Sequence, residues 1–140
     1  MPVSKYTLQM YAMSMVGLPY RWGGDDPVEG FDCSGLVLEL LKSVGVMPGS
    51  VDMTAAGLAD YFKARKVAPK FGALSFYGTG KITHVGFCLD EKLMLEAGGG
   101  TSKTLTKDDA SKQNAYVRIR PIMSRGDLVD ILMPKYPWEG

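Results

Sequence analysis

Histidine is nearly absent from this chain: His84 is the only one in 140 residues, beside two cysteines, Cys33 and Cys88. One imidazole and two thiols, with no close Cys or His pair, leave a zinc site a ligand short, so no metal is expected. Two thiols are also too few for the disulfide framework of a small secreted scaffold. Neither sign of charge dominates, with 16 Lys+Arg against 15 Asp+Glu and a formal net charge of +1. A nucleic-acid binder usually carries a clear basic excess, and none is present. No run approaches the roughly 18–20 apolar residues of a membrane helix, so membrane insertion is not expected. The start, Met1-Pro2-Val3-Ser4-Lys5, lacks a basic region before a long apolar core, and Gln9 and Ser14 interrupt Leu8 to Val16. No signal peptide is evident. The expectation is a protein made in the cytoplasm that something else must deliver if it acts outside. A phosphate loop is missing too: Gly78-Thr79-Gly80-Lys81 has Ser75 where the first glycine belongs, and no cofactor is expected.

The rest of the composition fits one globular domain over residues 1–140, with 46% hydrophobic and 22% charged residues. Leu8, Tyr11, Ala12, Met15 and Val16 recur at three and four, which predicts a helix from about Lys5 to Val16, stopped by Gly17. Leu18 to Gly30 is rich in Gly, Pro and Asp and reads as a loop. A second helix is expected from Cys33 to Val44, capped by Asp32 and stopped by Gly45. Thr54 caps a short third one through Leu58 and Phe62. After Pro69 the pattern turns to strands: Ala73–Tyr77, then Ile82–Leu89 and Lys92–Ala97 as a hairpin ended by Gly98-Gly99-Gly100, then Tyr116–Arg120. Lys103, Lys107 and Lys112 around Asp108 and Asp109 read as a solvated loop face, and the tail with Pro134 and Pro137 as surface chain. Helices first and strands later, without βαβ alternation, give an α+β fold with N-terminal helices packed on a mostly antiparallel sheet. The nine methionines are expected to fill core gaps.

Cys33 stands in Gly30-Phe31-Asp32-Cys33-Ser34-Gly35, directly before the apolar run Leu36-Val37-Leu38-Glu39-Leu40-Leu41. A thiol at a helix N-terminus faces unpaired backbone N–H groups and the positive end of the helix dipole, the setting in which thiolate is favoured. A cysteine hydrolase needs a nucleophile, a base, a group orienting the base, and donors for an oxyanion. Cys33 is the candidate nucleophile and its backbone N–H a candidate oxyanion donor. His84 is the only available imidazole base. Glu96 lies on the return strand, roughly opposite His84, where a carboxylate would fix the tautomer and stabilise imidazolium. Cys88, in a run of β-formers with the strand parity of His84, reads as buried core. Trp22 with Gly23-Gly24 is expected to wall a cleft.

Three segments together resemble the NlpC-type family of bacterial cell-wall cysteine peptidases. They are Leu18-Pro19-Tyr20-Arg21-Trp22-Gly23-Gly24, Gly30 to Val37, and His84-Val85-Gly86-Phe87. The resemblance implies a papain-like catalytic domain and hydrolysis of peptidoglycan stem peptides, commonly after D-glutamate. It implies Cys33 as nucleophile, His84 as base and Glu96 at the place of the third polar residue. Tyr20 would lie beside the nucleophile, with Asp32 and Ser34 at the substrate-binding face and Asp32 able to take the free amine of a trimmed stem peptide. The chain departs from the family at Gly72-Ala73-Leu74, where a carboxylate is usual, at Glu96, which replaces a neutral or imidazole group, and at Cys88, often aromatic. The absence of a wall-binding repeat and of a secretion signal suggests a phage lysin or a peptidase carried in a phage tail, with phage tail proteins as partners. An amidase or acyltransferase on the same Cys–His pair, and a structural tail protein with a vestigial site, stand as alternatives.

Overall fold

A computed structural model describes residues 4–26 and 30–139. In chain order the elements are α1 (Lys5–Ser14), β1 (Asp25–Asp26), β2 (Gly30–Phe31), α2 (Cys33–Ser43), α3 (Ala55–Tyr61), β3 (Leu74–Tyr77), β4 (His84–Cys88), β5 (Leu93–Gly98), α4 (Lys107–Gln113), β6 (Tyr116–Pro121) and β7 (Leu128–Leu132). Five strands form one antiparallel sheet in the order β6-β5-β4-β3-β7, and β1 with β2 makes a separate two-stranded ribbon. The fold is α+β, as the order of elements in the sequence implies.

The apolar run of α2 explains its central place. Leu36, Val37, Leu38, Leu40 and Leu41 are all buried, because α2 packs on β4 and β5 while α1 and α3 press against it. Each large aliphatic side chain buried this way is worth roughly 1.5–3 kcal/mol. Every residue of β3 and β4 is buried as well, so these strands read as continuous apolar runs rather than alternating ones. Ser4, Asp32 and Thr54 each cap the following helix through their side chains, on the backbone N–H of Thr7, Gly35 and Gly57 respectively.

Several elements differ from the sequence expectation. Helix α1 stops at Ser14, and Met15 to Gly17 form a turn in which Gly17 has φ +93°. Strand β4 starts at His84 rather than Ile82, because the turn before it is held by Gly78, whose N–H donates to the Asp127 carbonyl. The lysine-rich stretch is a helix, α4, and not a loop. Thr106 and Asp109 build a capping box and Lys112 pairs with Asp108, but only Ala110 is buried, so the apolar period that marks a helix is missing. The tail is not surface chain throughout. Leu128–Leu132 pairs with β3, and Tyr136 is 1% exposed with its hydroxyl donating to the Gly72 carbonyl at 2.7 Å. Asp130 in mid-strand and the nearby prolines hide that edge strand in the sequence.

Candidate active site

The site is assembled where the N-terminus of α2 meets the first residue of β4. Asp32 has extended backbone, and its Oδ1 accepts from the Gly35 N–H at 2.7 Å and the Ser34 hydroxyl at 3.3 Å. Its Oδ2 accepts from the Gly23 N–H at 3.0 Å, so one carboxylate ties the preceding loop to the start of the helix. Burial pushes this carboxyl up, hydrogen bonds from Gly35, Gly23 and Ser34 pull it down, and Asp52 pushes it up again; the net direction is upward. Gly35 is required here, since a Cβ would lie 2.0 Å from the Gly24 carbonyl oxygen. The first helical turn leaves the N–H groups of Cys33 and Ser34 without intrahelical partners.

Cys33 is half-buried, with its sulfur 3.9 Å from the Thr83 carbonyl oxygen, and it lines the same cleft as His84. His84 Nε2 lies 2.9 Å from Glu96 Oε2, which leaves Nδ1 for the sulfur. The pairing Phe87↔Leu95, carried one step further, sets Glu96 across from Gly86 rather than His84. The contact therefore runs diagonally across the hairpin, past a residue with no side chain. Imidazole and carboxylate are 8% and 2% exposed. Burial alone would lower the imidazole, but hydrogen bonds and charges from Cys33 and Glu96 outweigh it and raise it from 6.5 to about 9. For Glu96 burial acts upward, and His84, Arg120 and Arg118 override it to hold the carboxyl below its ordinary value. Cys88 is fully buried, and burial with the nearby Asp90 charge pushes its thiol up to about 12. It is core, as expected.

A cleft of about 250 Å³ opens over this series. Tyr20 and Trp22 line it with Gly98, Gly99 and Gly100, and the two arginines Arg120 and Arg125 lie in the same wall. Tyr20 is 6% exposed and Trp22 is 53% exposed, the Trp22 backbone N–H donating to the Thr104 carbonyl at 2.7 Å. A Cβ on Gly100 would fall 2.0 Å from Tyr20 Cδ1, so the glycine lets the ring lie flat against the backbone. Asp32 and Ser34 line a separate cavity of about 210 Å³ with Asp25 and Asp52. Sequence reasoning did not find Arg120, Arg125 or the glycine wall. The alternation Val117-Arg118-Ile119-Arg120 signals one shared face for the arginines, and only the pairing Glu96↔Arg118 shows which. Among the described residues no group of three His, Cys, Asp or Glu side chains could hold a metal ion, and no helix is long and apolar enough to cross a membrane.

A thiol, an imidazole and a carboxylate in series are the parts that nucleophilic acyl transfer requires. The chain belongs to the NlpC/P60 family, whose model matches residues 17–121. It is 39% identical over 123 residues to the murein DD-endopeptidase MepH of Escherichia coli, covering 80% of this chain and 44% of MepH. It is 36% identical over 107 residues to the peptidoglycan endopeptidase RipB of Mycobacterium tuberculosis, covering 66% of this chain and 42% of RipB. The chain thus spans less than half the length of these curated relatives. A crystal structure of an NlpC/P60 family protein from Bacillus cereus superposes with a TM-score of 0.71 at 20% identity, over 97% of this chain and 41% of that one, a likeness of fold.

Proposed function

We propose that this chain is a cysteine endopeptidase that hydrolyses peptide bonds in peptidoglycan stem peptides through Cys33, His84 and Glu96. The observation that carries this is His84 hydrogen-bonded to the Glu96 carboxylate in a cleft that Cys33 also lines. The names of MepH and RipB supply the substrate class.

In this mechanism the Cys33 thiol gives its proton to His84 Nδ1, the resulting thiolate attacks the scissile carbonyl carbon, and the carbonyl oxygen takes up the negative charge. The Cys33 backbone N–H donates to that oxyanion. The Tyr20 hydroxyl is a second donor; burial, then the charges of Cys33 and Asp32, push its phenol up, so it stays protonated. The imidazolium gives its Nδ1 proton to the leaving nitrogen, the C–N bond breaks, and the acyl chain remains on sulfur as a thioester. His84 then takes a proton from water, the hydroxide attacks the thioester, and the thiolate leaves. Glu96 fixes the ring so that Nδ1 faces the sulfur. Trp22 walls the cleft, while Asp32 and Ser34 take a substrate amine from the adjoining cavity. MepH and RipB come from cellular bacteria, and a phage-tail setting draws no support from them.

Digestion of purified peptidoglycan and of soluble muropeptides, wild type beside Cys33→Ala, tests the assignment by mass spectrometry of the products. A new amino terminus within the stem peptide, produced by wild type only, is the expected result. Intact substrates with both proteins would remove the peptidase assignment.

A further inference from the structure

We infer that Arg120 and Arg125 form a carboxylate-binding subsite on the leaving-group side of the scissile bond. The enzyme would then select peptides whose released residue carries a free carboxylate. This rests on the peptidase function proposed above and adds a substrate feature to it.

Both guanidinium groups line the cleft that contains Cys33 and His84. Arg120 is edge-strand residue 120 of β6, and its side chain is 41% exposed. Its nearest acidic contact is long: Nη1 stands 3.8 Å from Glu96 Oε1, outside hydrogen-bond range, while Oε2 of the same carboxylate is engaged by His84. Among the described residues the Arg120 guanidinium makes no hydrogen bond, so beyond this long ion pair its planar fork of donors is left to the cleft. Arg125 is fixed instead. Asp127 takes its Nε at 2.9 Å and Nη2 at 2.8 Å, and its guanidinium lies 5.2 Å from the centre of the Tyr77 ring. That anchoring leaves Nη1 as the group free of the Asp127 clamp. One loosely paired and one clamped guanidinium lining the same cleft is an arrangement suited to an anionic, planar group.

The side of the scissile bond follows from proton transfer. The leaving nitrogen must receive its proton from His84, so the amine half of the substrate lies on the imidazole's side of the sulfur. Both arginines are tied to that side, Arg120 through Glu96 and Arg125 through Tyr77, whose ring centre is 5.7 Å from that of His84. Glu96 in this cleft is engaged by His84 and Asp127 by Arg125, while Asp25, Asp32 and Asp52 line the other cavity, beside the start of α2.

The test uses two synthetic stem peptides that differ only in a carboxylate or a carboxamide on the residue that becomes the new amino terminus. Wild type should show kcat/KM at least roughly tenfold higher for the carboxylate, the scale of one charge-assisted hydrogen bond. Arg120→Gln should bring that ratio close to one, and Arg120→Lys should restore part of it. Equal cleavage of both peptides by wild type overturns the subsite and leaves the peptidase standing. An equal loss on both peptides in Arg120→Gln, with the ratio kept, would mean that Arg120 acts only through Glu96 and also overturns it. If wild type cleaves neither peptide, the peptidase function falls and the subsite with it.

Discussion

Replacing Glu96 by Gln keeps the shape of the side chain and removes its charge from beside His84. The imidazole is raised from 6.5 to about 9 against a burial effect that acts downward, so the net interaction is worth roughly 3 kcal/mol, shared between Cys33 and Glu96. A charge-assisted hydrogen bond contributes about 1.5–3 kcal/mol and a neutral one about 1, so Glu96→Gln should remove about 1–1.5 kcal/mol. That corresponds to a fall of roughly one unit in the histidine midpoint. His84 is the only histidine, so one Cε1–H proton resonance followed by NMR against pH reads it directly. A group raised above its unfolded value stabilises the fold fully below that value and loses the contribution as pH rises through the folded one. Denaturant melts should therefore show the variant weakened fully near pH 6, with the deficit fading as pH rises through about 9. The depressed Glu96 carboxyl acts in the opposite sense, adding stability above its ordinary range that is lost as pH falls. A wild-type midpoint near 6.5, or an unchanged midpoint in the variant, would refute the coupling.

Other substitutions probe the supports of the site. Gly100→Ala would drive a methyl group into the Tyr20 ring, so lower catalytic efficiency and a lower Tm are expected in peptide cleavage and thermal melts. Asp32→Ala removes the α2 cap and the clamp on Gly23, and should cost about 1–2 kcal/mol in denaturant unfolding while slowing cleavage. Cys88 is fully buried in strand β4, so thiol labelling of the native protein should modify Cys33 and spare Cys88 until the protein unfolds.

What could be read from the sequence follows from how local each signal is. Asp32, Cys33 and the apolar run after them lie within one helix and its cap, so the setting of the candidate nucleophile was legible directly. The β4–β5 hairpin is short, and strand parity alone set Glu96 on the face of His84; the diagonal contact depends on register, which Gly86 permits and no composition rule reveals. Arg120 and Arg125 became visible only through strand pairing and the turn after β6, both long-range. Helix α4 escaped because its stability lies in a capping box and a surface ion pair rather than an apolar stripe. Strand β7 escaped because an edge strand carrying Asp130 resembles a polar tail. Sequence reasoning reached the candidate residues where neighbours in the chain are neighbours in space, together with Tyr20 and Trp22, and missed the arginines and glycines of the cleft, which only the sheet assembles.

The most direct test of the central claim, that the acyl chain is carried on the sulfur of Cys33, is intact-mass spectrometry of acid-quenched reactions with a stem-peptide substrate. Wild type should carry an adduct equal to the acyl half of the substrate, mapped to the peptide that contains Cys33, while Cys33→Ala leaves the substrate whole. Consumption of the substrate by Cys33→Ala at the wild-type rate would contradict the account.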